Sequence, residues 1–85
     1  MSVDRPTLPP PDRLALWPVE GGRFGLDATF SGAFGKDYAK EHRHALRLGG
    51  LDATLRREGG DTFILRMGPL TADAARAAVD AFLGL

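Results

Sequence analysis

The sequence predicts an α+β fold, a two-layer sandwich in which a four-stranded antiparallel sheet carries two helices on one face, in the order ββαββα. Three observations lead there. Four short stretches alternate apolar and polar residues at period two, the signature of half-buried strands. Two longer stretches switch to the helical period and show one apolar stripe each. Glycine pairs or a Gly-Pro step separate the stretches where the chain must turn. Two singly striped helices bury both stripes on one face of such a sheet.

Residues 1–12 hold four prolines, three of them consecutive at 9–11. They read as an extended, flexible arm without a core contribution, and 13–85 as the single domain. "RLALWPVE" alternates weakly, with Leu14, Leu16 and Val19 expected on one side, and Pro18, lacking a ladder donor, marks it as an edge strand. "EGGR" at 20–23 is a turn. Phe24, Leu26, Ala28 and Phe30 then alternate against Arg23, Asp27 and Thr29 as a second strand.

From Lys36 to Leu48 a helix is expected, with Tyr38, Ala39, His42, Ala45 and Leu46 on its apolar arc. Lys36, Lys40, Arg43 and Arg47 line the opposite arc, with His44 at its edge, and Gly49–Gly50 ends it. Residues 51–67 read as a hairpin turning at "EGGD" and broken by Gly68–Pro69. Thr71 is suited to cap a final helix, with Asp73 in its first turn. Its inward stripe is Ala74, Ala75, Ala78, Val79 and Phe82, and Arg76–Asp80 forms an i,i+4 pair outside.

"GLDATF" at 25–30 returns as "GLDATL" at 50–55. Each copy is expected to open a strand after a glycine, with Leu and Ala inward and Asp and Thr outward. Two explanations stand for the echo: a duplicated βα unit, or strand grammar shared by chance in a Leu- and Ala-rich chain.

Composition narrows the chemistry. Eighty-five residues make one small domain, and 44% hydrophobic content suits a globular one. No apolar run reaches the roughly 20 residues that span a bilayer, and the N-terminus has no basic head with an apolar stretch behind it. The expectation is a cytoplasmic protein without membrane contact. Cysteine is absent, which removes disulfides, thiolate metal sites and cysteine nucleophiles. Asparagine and glutamine are absent too, a trend of thermophile proteins and equally a product of GC-rich bacterial coding. Eleven basic and eleven acidic side chains cancel, so any nucleic-acid contact must come from local clustering.

The two histidines, His42 and His44, lie two apart, about 200° around a helix, and cannot share one metal ion. No metal or cofactor is expected. His42 falls on the apolar arc as a buried, hydrogen-bonded side chain. Ser31 lacks a nucleophile elbow. Asp27 and Asp52 would make a carboxylate pair only on neighbouring strands. No catalytic residue emerges, and an enzyme is not expected.

"GAFGK" at 32–36 is a Gly-x-x-Gly loop leading into the basic helix. The candidate binding residues are Gly32, Gly35, Lys36, Lys40, Arg43 and Arg47, where amides and cations would meet phosphate. With the helix, hairpin and "TADAARAAVDAFL" that follow, this loop resembles the KH domain, although the short helix that precedes the loop in that family is missing. The resemblance implies single-stranded RNA or DNA on the loop and basic helix. "GAF" and "GPL", each before a helix, also resemble the Gly-x-Phe marks of the SPOR domain over residues 24–83, without its closing strand or sugar-binding amides. That likeness implies a double βα repeat and glycan binding. The residues themselves point to a small non-enzymatic binding module. It is expected to associate as a homodimer through a patch involving Trp17, Phe34 or Leu85.

Overall fold

A computed structural model describes residues 8–84. Its elements run β1 (Arg13–Val19), a single 3₁₀ turn (Glu20–Gly22), β2 (Arg23–Phe30), α1 (Gly35–Leu48), β3 (Thr54–Gly59), β4 (Thr62–Leu70) and α2 (Ala72–Leu83). The strands form one antiparallel sheet in the order β1-β2-β4-β3. The 3₁₀ turn is added to the expected order, at the place where a plain glycine turn was read.

The core follows from strand alternation. Leu26, Ala28 and Phe30 of β2 and Leu65 and Met67 of β4 are buried on one face. Onto them pack Ala39, His42 and Leu46 of α1 and Ala75, Ala78 and Phe82 of α2. Both helices touch β2, β4 and each other, so one apolar layer lies between helices and sheet.

Several local expectations change. The buried line of α1 is Gly35, Ala39, His42 and Leu46, whereas Tyr38 and Ala45 are exposed. The helix is turned so that Gly35 sits on the sheet, where an added Cβ would stand 3.1 Å from the Phe30 carbonyl. β3 begins at Thr54 and not at residue 51, because Leu51–Ala53 form the link from α1. β4 continues through Gly68–Pro69, with a register shift opposite Phe24 and Leu26. Since β3 starts opposite Arg66, that end of β4 has β2 alone as a neighbour, and the missing Pro69 N–H breaks no bond to β3.

The repeated hexapeptide therefore does two jobs. Its first copy lies inside β2, and its second runs from the end of α1 into the start of β3. Leu26 and Ala28 are fully buried; Ala53 is buried and Leu51 half-buried.

Thr71 caps α2, its Oγ1 accepting the Ala74 N–H at 3.1 Å. Among the described residues Arg76 and Asp80 form no ion pair within 4 Å, and Arg76 lies toward Leu16 and Phe24 instead. The part of the proline segment that is described is tied to the domain. Leu8 and Pro11 are half-buried, and the His42 Nε2–H donates to the Pro9 carbonyl at 2.7 Å. Ser31 N–H donates to Asp12 Oδ2 at 2.6 Å, and Asp12 N–H to the Thr29 carbonyl at 2.8 Å. Residues 1–7 and Leu85 lie outside the described residues.

Candidate functional site

The loop and helix singled out by sequence come together as follows. Gly32 has a φ of +97° and open space around it, while Gly35 is buried. The Gly35 N–H donates to the Gly32 carbonyl at 3.0 Å, so this amide closes the loop and is not offered to a phosphate. Phe34 occupies the N-cap position of α1 without a side-chain hydrogen bond; it stands 62% exposed, its ring centroid 6.2 Å from that of Tyr38. Lys36, Lys40 and Arg47 are exposed and Arg43 is half-exposed. Lys40, Arg43, His44 and Arg47 line a shallow groove of about 210 Å³.

By helical position this cationic flank is turned away from α2, which faces Ala45 and Gly49. Arg47 lies 3.8 Å from Asp52, both well exposed. Among the described residues Lys36, Lys40 and Arg43 have no ion-pair partner within 4 Å.

His42 is 4% exposed, with its ring centroid 5.1 Å from Phe30 and 5.3 Å from Phe82. A carbonyl can only accept, so Nε2 carries the proton toward Pro9. The side chain joins the proline segment to the core. Asp27 and Asp52 form no carboxylate pair: β4 lies between β2 and β3, and Asp52 is in the link before β3. Among the described residues no group of three His, Asp or Glu side chains is placed to hold a metal ion. No helix there is long and apolar enough to cross a membrane.

The sheet face opposite the helices carries a constellation that sequence reading did not identify. Trp17 on β1 pairs with Gly25 on β2, and Asp27 with Arg66 on β4. The indole lies over Gly25 so closely that an added Cβ would be 2.5 Å from its ring. Arg66 holds Asp27 with two parallel bonds, Nε–H to Oδ1 at 2.8 Å and Nη2–H to Oδ2 at 2.9 Å. Its guanidinium carbon is 5.7 Å from the Trp17 centroid. The Asp27 carboxylate, as hydrogen-bond acceptor and then as a nearby negative charge, raises the Arg66 pKa above its ordinary value. A fork fixed on both sides in this way holds its orientation.

Beside the indole is a cavity of about 470 Å³. Trp17 and Val19 line it from β1, Arg66, Gly68 and Pro69 from β4, and Gly25 of β2 lies beneath the indole. Val19, expected beside Leu14 and Leu16, borders this opposite face instead. One sequence signal pointed here: an apolar "LALW" run in an edge strand places its Trp on the face opposite Leu14 and Leu16. The partners come from β2 and β4, and Arg66 lies 39 residues from Asp27. Compared with known proteins, the chain matches no family model, no curated protein and no solved structure.

Proposed function

We propose that this protein is a non-enzymatic binding module that pairs with a second copy of itself along the β1 edge. The observation that carries the reading is Leu16. It points to the helix side of the sheet, yet stands 52% exposed because α2 covers β2 and stops short of the outer strand. Next to it is a mostly apolar hollow of about 280 Å³, lined by Leu16, Phe24, Ala72, Ala75 and Val79 and by Arg76 of α2. The opposite edge is guarded: β3 carries Arg56, Arg57 and Glu58, charges that discourage strand addition. β1 has no such guard between Leu14 and Trp17. Pro18 removes one donor near its end.

An antiparallel β1 from a second copy would extend the sheet across a two-fold axis and remove both Leu16 side chains from water. Full burial of a leucine contributes about 1.5–3 kcal/mol. Light scattering at micromolar concentration is expected to give twice the monomer mass. Leu16→Lys should give a monomer with unchanged far-UV circular dichroism. A monomeric parent protein would remove the reading.

A second reading is favoured by the cationic flank of α1. Like charges at i,i+4 spacing cost a helix about 0.2–0.5 kcal/mol per pair, and Lys36–Lys40 and Arg43–Arg47 both have that spacing. A polyanion such as single-stranded nucleic acid would relieve it. Binding should weaken steeply with salt and vanish in Lys40→Glu/Arg43→Glu/Arg47→Glu. Retention unchanged by that triple substitution would exclude this mode.

A further inference from the structure

We propose that the cavity on the open face of the sheet is a site for a guanine base, stacked on Trp17 and read along its acceptor edge by Arg66. The inference uses neither the β1 pairing nor the α1 flank.

The shape suits a flat ring. One strand lies between β1 and β4, so their backbones stand about 10 Å apart, and over that strand the Arg66 guanidinium carbon comes to 5.7 Å from the indole centroid. Gly68 sends no side chain into the hollow, and Gly25 lets the indole lie flat on the backbone beside it. The volume, about 470 Å³, lies within the range of small-ligand sites. The indole is held against Gly25 before any ligand arrives, so stacking on it costs little ordering. Aromatic platforms of this kind take bases through their π-faces.

Arg66 supplies the selectivity. Asp27 engages two of its five N–H donors and leaves three, in a plane fixed by that pair, beside the indole. A rigid edge with two adjacent acceptors matches such donors. Guanine has one in O6 and N7, whereas adenine presents an acceptor next to a donor and is read by Asn or Gln. This chain contains neither residue. At the rim, Glu20 can accept from the guanine N1–H and N2–H₂, and Arg23 gives a cation for an attached phosphate. A sugar ring would also stack, but its hydroxyl pattern asks for mixed donors and acceptors such as the side-chain amides this chain lacks.

A guanine can arrive as a free nucleotide or within a single strand, and the chemistry at Trp17 and Arg66 is common to both. The protein has a single tryptophan, so its fluorescence reports stacking at this place alone. Titration with GMP, with AMP, and with a short uridine strand containing one guanosine separates the cases. Saturable quenching by GMP supports a nucleotide site; quenching by the strand alone supports a single-strand site. AMP is expected to bind roughly tenfold more weakly than GMP. Arg66→Lys keeps the charge, loses the fork and should remove that preference. Glu20→Ala, on an exposed turn outside the sheet, should weaken guanine binding with the fold intact. Absence of quenching by GMP and strand at millimolar concentration overturns the proposal. So does equal binding of AMP and GMP, or a preference for guanine retained in Arg66→Lys.

Discussion

At Gly25, a hydrogen in place of a side chain lets the indole of Trp17 lie on the backbone of the neighbouring strand. A Cβ there would overlap the ring at 2.5 Å, so the tryptophan would have to leave its place. Gly25→Val is therefore expected to lower stability by about 1–3 kcal/mol, the usual range for overpacking. It should also shift the single tryptophan's emission to the red. Urea unfolding followed by that emission measures both; an unshifted spectrum would mean that the indole does not rest on Gly25. Gly50, the same letter in the second copy of the hexapeptide, has another reason: its φ is +85°, in open space, where the chain turns after α1. Letter identity between the copies was legible in sequence. The difference in cause was not, because it depends on which strand lies alongside.

The two helices begin in contrasting ways. α2 has a side-chain cap from Thr71 and an acid, Asp73, in its first turn. α1 has Asp37 in its first turn but an exposed Phe34 where a capping residue would stand. Thr71→Ala should cost about 1 kcal/mol, a fall of roughly 4–8 °C in Tm for a domain of this size. Calorimetry checks it, and an unmoved Tm would show that the Ala74 N–H finds an equally good partner in water. The Thr71 cap was readable because a cap is a contact three residues long. The rotation of α1 was not. Period 3.6 gives an apolar arc, but the tilt of the helix on the sheet decides that Gly35 is covered and Tyr38 exposed.

Across the whole molecule, Phe82 is the side chain on which the layers converge. It is 1% exposed, and its centroid is 6.4 Å from Phe30 and 5.3 Å from His42. Phe82→Ala is expected to remove about 3–5 kcal/mol, much of the roughly 4–13 kcal/mol that an 85-residue domain holds. Such a variant should melt well below the parent, as thermal melting by circular dichroism would show; a melt like the parent's would place the centre of the core elsewhere. His42 extends this core to the proline segment through Pro9, which the expectation of a flexible arm without core contribution did not contain. That bond joins residues 33 apart, and proline content alone carries no sign of it.

What the sequence by itself determined is local: four alternating stretches, two striped helices, turns at glycine pairs and a threonine cap. Backbone geometry and the desolvation of nearby side chains impose these within a few residues, so they are written in the order of the letters. Tertiary structure decided the rest. It set β4 beside β2, joined Arg66 to Asp27, laid Trp17 over Gly25 and left Leu16 on an unguarded margin. These outcomes depend on which strands meet and in what register, a choice made by burying the whole apolar layer at once and not by any single stretch of chain.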